Sequence, residues 1–180
     1  VSVSLALWQV SAEGGEPRRL TDPGRDYSQP GFTPDGRRLL AKAERVSQQW
    51  VYNATRLVQW SWPLQGEPAE VIDGFDGSVD DYHVAADSRS VYFQAEQAGR
   101  RKLFVAPLEH GLAAEVGKLE AGTYAGFSLG GEAVAPVIAE TPPPLRGGGI
   151  RKTYSAATRC AAPAFIFTTT LIASSTRSLA

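Results

Sequence analysis

The pentapeptide Gly126-Phe127-Ser128-Leu129-Gly130 fits G-x-S-x-G, the pattern of an elbow that presents a nucleophilic serine. That chemistry needs the serine on a strained strand-to-helix turn, followed along the chain by an acid and then a histidine base. Both histidines, His83 and His110, precede Ser128, and Gly130-Gly131 opens a short strand containing Pro136 rather than a helix. Ser128 is therefore expected at a turn between strands, and no catalytic residue is assigned.

Metal chemistry fares no better. Asp73, Asp76, Asp80 and Asp81 cluster around Gly74 and Gly77. A calcium loop needs oxygen ligands at alternate positions, a central glycine and a late glutamate. Counted from Asp76, the sixth place is Asp81 and the twelfth is Asp87, so the pattern fails and solvated turn residues are expected. His83, His110 and the single cysteine, Cys160, stand at no metal-ligand spacing, so a packing histidine and a surface histidine are expected, with no metal and no cofactor. Arg100-Arg101-Lys102 lacks regularly interleaved aromatics and reads as a solvated strand edge, with no nucleic acid as partner. Trp50, Tyr52, Trp60 and Trp62 are expected to pack between sheets rather than to line a groove.

The chain that must position these residues has 180 of them, 43% hydrophobic and 21% charged, the composition of a globular chain. One cysteine excludes an internal disulfide, and no apolar run reaches the length of a membrane-spanning helix. The net charge of −1 conceals a division. Residues 1–140 carry 13 basic and all 19 acidic residues, a net −6, whereas residues 141–180 carry five basic residues and no acid. The chain starts at Val1 and contains no Met, and it reads as a piece of something longer.

The body repeats itself. Residues 32–44 align without a gap on residues 84–96 at an offset of 52, with Asp35/Asp87, Arg37/Arg89, Ala43/Ala95 and Glu44/Glu96 identical. A third copy starts 43 residues later at Phe127, which places Ser128 at the position of Thr33 and Ala85. The preceding segments repeat as well: Leu7-Trp8-Gln9-Val10, Leu57-Val58-Gln59-Trp60 and Leu103-Phe104-Val105-Ala106 each lead to a glycine turn and a short apolar strand. Pro34-Asp35-Gly36 and Ala86-Asp87-Ser88 carry hairpin-turn chemistry, because Pro presets φ and Asp and Gly tolerate the remaining turn conformations. Alternation puts Val91, Phe93 and Ala95 on one side of a strand and Tyr92 and Gln94 on the other.

Four short antiparallel strands recurring about every 40–45 residues are the pattern of a propeller blade. The expected fold is all-β: a partial β-propeller of about three four-stranded antiparallel blades over residues 1–140, with repeats near 7–44, 57–96 and 103–139, followed by an irregular tail. The extra length of the 52-residue offset is expected in Arg45–Arg56. A β-sandwich with similar turns is the alternative.

The residues from Leu7 to Thr21, with Phe32-Thr33-Pro34-Asp35-Gly36-Arg37-Arg38-Leu39, resemble the blade repeat of TolB-like propellers, which also builds the N-terminal propeller of the prolyl oligopeptidase family of serine peptidases. The run from Tyr52-Asn53-Ala54-Thr55-Arg56 through Trp62-Pro63 and Phe75-Asp76-Gly77 to Tyr92-Phe93 is most similar to bacterial dipeptidyl-peptidase and acylaminoacyl-peptidase members. The resemblance covers residues 5–128. It implies a fragment of a substrate-gating propeller whose partners are the remaining blades, a separate C-terminal α/β-hydrolase domain holding the triad, and peptide substrates. This chain alone would be inactive. The alternative it implies is a non-enzymatic TolB-like propeller that binds a protein partner.

After Pro142-Pro143-Pro144 and Gly147-Gly148-Gly149 the repeat is lost, and residues 141–180 form a basic tail rich in Ala, Ser, Thr and Arg, with one apolar island at 164–173. Loss of acids and of turn chemistry together point to a tail translated out of frame; a flexible basic linker is the competing interpretation. Related bacterial peptidases are periplasmic or cytoplasmic, with the periplasm slightly favoured here.

Overall fold

A computed structural model describes residues 3–46, 53–117, 122–130, 133–139 and 164–172, and among these there is no helix. The chain opens with β1 (Val3–Ser11) and the two-residue β2 (Arg18–Arg19), which pair antiparallel. Strands β3 (Arg25–Phe32), β4 (Arg38–Arg45), β5 (Arg56–Ser61) and β6 (Ala69–Glu70) then form a four-stranded antiparallel sheet in chain order. After the short β7 (Ile72–Asp73), a second such sheet is built from β8 (Val79–Val84), β9 (Ser90–Gln97), β10 (Arg100–Pro107) and, beyond β11 (Gly111–Leu112), β12 (Ala114–Glu115). β7 and β11 pair in parallel and tie the two sheets together at that side. A final hairpin joins β13 (Thr123–Gly130) to β14 (Ala133–Ala139).

The tail departs from expectation in one place. Residues Ala164–Ile172 form a strand, β15, antiparallel to β1 along its whole length. The segment Phe165-Ile166-Phe167-Thr168-Thr169-Thr170 is aromatic and β-branched throughout, the composition that suits a pleated strand, and β1 otherwise offers it an unpaired edge.

The turns explain why the hairpins form. In the first sheet Thr33 N donates to Arg38 O at 3.0 Å, Gly36 N to Thr33 O at 2.8 Å, and Arg37 N to Asp35 Oδ1 at 3.0 Å. Fifty-two residues on, Ala85 N donates to Ser90 O at 2.8 Å, Ser88 N to Ala85 O at 3.0 Å, and Arg89 N to Asp87 Oδ1 at 2.9 Å. Ser88 takes the positive φ of 57° that Gly36 takes at 69°. The two turns touch, with Asp35 N donating to Ser88 Oγ at 3.1 Å. The connection between β4 and β5 runs over 46–55, of which 47–52 lie outside the described residues, whereas Ala98-Gly99 alone joins β9 to β10.

Both faces of the central strands are buried, and their alternation divides the core into layers. Leu39, Ala41 and Ala43 of β4 pack with Leu7, Tyr27, Val58 and Trp60, while Leu40 points the other way, into a cluster with Leu57, Val91, Phe93, Ala95 and Phe104. Tyr92 faces a third layer with Leu103, Tyr124 and Phe127. Phe93 and Phe104 stack at 5.3 Å, with Phe75 edge-on to both. The sheets thus pack face to face like blades.

The strands are not grouped as the sequence repeats are. Repeat 7–44 supplies β1 and β2 to one sheet and β3 and β4 to the next, and repeat 57–96 divides in the same way. The tight turns hold neighbouring strands within a sheet, while the looser links after β2, β6 and β12 cross to the following sheet.

Candidate functional site

The first strands of three successive sheets, β3, β8 and β13, are linked by side-chain contacts, and each carries a bulge: between Ser28 and Gly31, between Val79 and Asp81, and between Tyr124 and Gly126. A bulge re-aims the side chains beside it. Gln29, at φ 48°, donates from Nε2 to Asp81 Oδ1 at 3.1 Å across the gap between sheets. The same oxygen accepts the backbone N–H of Tyr82 at 2.9 Å, and Asp81 Oδ2 lies 3.8 Å from His83 Nε2. The His83 ring then meets Phe127 of β13 edge-on, with centroids 4.8 Å apart. An amide from β3 and a carboxylate and an imidazole from β8 thus form a polar row that ends against Phe127 of β13, and the Asp81 and His83 side chains are 37% and 47% exposed.

The row has a firm base. Tyr82, between Asp81 and His83, is buried, and its hydroxyl donates to Gln29 O at 2.6 Å with Leu40 O 3.1 Å away. That burial, with a smaller contribution from the Asp81 charge, pushes the phenol well above its ordinary range. Lys42 Nζ donates to Asp80 O at 2.7 Å, and Arg38 reaches Leu108 O at 3.1 Å and Glu109 Oε1 at 3.2 Å, so further side chains bridge the same two sheets.

The residues singled out in the sequence are dispersed by the fold. Ser128 lies within β13 opposite Ala135, because Leu129-Gly130-Gly131 lacks the Asp cap of the other turns and the strand continues to Gly130. Asp80 and Asp81 are strand residues of β8 rather than turn residues, Asp73 belongs to β7, and Asp80 Oδ2 is held by Arg101 Nε at 2.9 Å. Among the described residues no three His, Cys, Asp or Glu side chains gather as a ligand set. His83 is partly exposed rather than simply packed, and His110 Nδ1 lies 4.0 Å from Asp73 Oδ1 at the surface.

Arg100-Arg101-Lys102 opens β10, a strand with neighbours on both sides, and Lys102 bonds Glu115 at 3.0 Å. Trp60 is buried against Tyr27 at 5.5 Å and Trp62 meets Phe32 edge-on at 4.9 Å, both in packing roles. Trp50, Tyr52 and Cys160 lie outside the described residues. The row itself was not visible in the sequence. Its one signal, the acid and the histidine flanking Tyr82 in β8, carries no mark of which residues meet.

No protein-family model and no curated protein sequence matches the chain. Among solved structures it is similar to the putative TolB from Agrobacterium tumefaciens, at 17% identity over 71% of this chain and 43% of that one, with a TM-score of 0.53. It is also similar to TolB from Acinetobacter baumannii, at 14% identity over 62% of this chain and 29% of that one, with a TM-score of 0.41. The first likeness, with the all-β sheets described above, defines the fold as a partial TolB-like β-propeller. The chain spans less than half the length of either protein.

Proposed function

We propose that this chain is a recognition segment of a TolB-like propeller, a non-enzymatic module that binds an extended segment of a partner protein along its first strands. The observation that supports this reading is the row Gln29–Asp81–His83, in which exposed hydrogen-bonding groups are held across a sheet interface by a buried tyrosine. The amide offers a donor and an acceptor, and the carboxylate favours a basic side chain or backbone N–H groups. A random peptide library displayed on phage tests it: the 180-residue chain is expected to enrich basic peptides, and Asp81→Ala to lose them. Equal enrichment by the parent and Asp81→Ala would refute the assignment.

The second reading is the substrate-gating propeller of a prolyl-oligopeptidase-like serine peptidase of dipeptidyl or acylaminoacyl type. It is favoured by the resemblance of the run from Tyr52 to Phe93. The same row would then meet peptides bound for a hydrolase domain elsewhere in the protein. A coding sequence that continues into G-x-S-x-G, then Asp, then His would support it, and one without them would exclude it. A fluorophosphonate serine-hydrolase probe should leave this chain unlabelled, and labelling abolished by Ser128→Ala would contradict both readings. The proposal also retains residues 141–180 as an out-of-frame tail, which fails if no shift of frame in the coding DNA restores a blade.

A further inference from the structure

A second concavity lies away from the polar row, at the edge of the first four-stranded sheet where β3 and β5 begin and β4 ends. Arg25, Arg45 and Arg56, with Ala43, Asn53 and Glu70, line a cleft of about 300 Å³. The register brings them together: Arg25 stands directly opposite Arg45, and Arg56 opposite Ala43. Like charges opposite one another in a sheet are unfavourable, and among the described residues no ion pair relieves this one. Arg56 donates from Nη1 to the carbonyl oxygens of Phe75 and Gly77, which fixes its guanidinium. Among the described residues neither Arg25, Arg45 nor Glu70 forms a salt bridge. Asn53 Nδ2 donates to Arg45 O at 2.6 Å and anchors the chain beside the cleft.

The second four-stranded sheet supplies an internal comparison. At the offset of 52 the places of Arg25 and Arg45 are taken by Gly77 and Gln97. The counterparts of Arg56 and Glu70, which are Lys102 and Glu115, bond each other at 3.0 Å. That sheet closes its charges internally. The first keeps three guanidinium groups and one carboxylate around one cleft, an excess of two positive charges.

We propose that this cleft is a binding site for a small, doubly charged oxyanion. Guanidinium forks match the paired oxygens of phosphate and carboxylate groups, and the volume is at the small end of ligand pockets. A phosphate monoester and a dicarboxylate present the same chemistry, and the experiment separates them. The 180-residue chain is titrated calorimetrically with inorganic phosphate and, separately, with succinate, with chloride adjusted to hold ionic strength constant. Saturable binding of one probe identifies the class, and comparable binding of both identifies a site for either. The Arg25→Gln/Arg45→Gln variant is expected to weaken that binding at least tenfold, and Glu70→Gln to strengthen it. The variant changes exposed or half-buried side chains, so its sheet circular dichroism should match the parent. Failure of both probes to bind above chloride, or unchanged affinity in the double variant, overturns the proposal.

Discussion

Replacement of Tyr82 by Phe tests how the sheets are held together. The ring stays in its layer, so no cavity opens, and only the hydroxyl is lost. That hydroxyl donates to the part-buried Gln29 O at 2.6 Å and lies 3.1 Å from the buried Leu40 O, so its removal takes a donor from both carbonyls. A hydrogen bond contributes about 1 kcal/mol net, and a buried acceptor left unsatisfied costs roughly 1–3 kcal/mol. The expected loss is about 2 kcal/mol, or on the order of 30-fold in the folding equilibrium. Urea unfolding followed by tryptophan fluorescence reads it. A companion change isolates the hydroxyl: a Cβ added at Gly31 would stand 3.2 Å from the Tyr82 oxygen, so Gly31→Ala should cost less in the Tyr82→Phe background than in the parent. A Tyr82→Phe loss below about 0.5 kcal/mol, together with strict additivity of the two changes, would refute the assignment of this hydroxyl as a staple between sheets.

Alkaline pH provides an independent reading of the same group. Burial raises the Tyr82 phenol, and to a smaller extent that of Tyr27, above the unfolded value of about 10. Their folded forms hold the proton more tightly than the unfolded chain does. Stability is therefore full below about pH 10 and declines as pH rises above it, with a shallower slope for Tyr82→Phe in the same denaturation series. In the turn joining β9 to β10, Ala98 takes φ 54° beside Gly99 at 71°, a conformation that an alanine adopts at a cost. Ala98→Asn is expected to raise stability by about 1 kcal/mol, measured as a shift of the urea midpoint, and no gain would show that the turn is not strained there.

The hairpins were legible because their information is local. Thr33-Pro34-Asp35-Gly36 specifies a turn through its own side chain and φ preferences, and the Asp35/Asp87 match carried the same geometry to the second sheet. The layers were legible too, since Val91, Phe93 and Ala95 alternate with Tyr92 along β9 and fall into different clusters. The polar row and the arginine cleft depend instead on which strands become neighbours. Gln29 and Asp81 are 52 residues apart, and only the bulges in β3 and β8 aim them at each other. Asp80 and Asp81 looked like turn residues because acids and glycines crowd residues 73–81, yet Arg101 and Gln29 hold them in a strand. Nothing in the spacing of Arg25, Arg45 and Arg56 marks them as neighbours until the register of the sheet is known.

The half-unit offset between repeats and sheets bears on how such a chain can grow. A copied stretch such as residues 7–44 contains both sides of an interface, since Leu7 and Leu20 pack with Tyr27, Leu39 and Ala41. Each duplication therefore carries its sheet-to-sheet packing intact. The seam between copies falls instead inside a sheet, at the β4–β5 and β9–β10 ladders, where regular antiparallel pairing joins one copy to the next. Insertions are tolerated at that seam: the same joint is a two-residue turn at 98–99 and a ten-residue connection at 46–55. Length drifts in the turn that closes the ladder, and the packed interfaces are inherited as units.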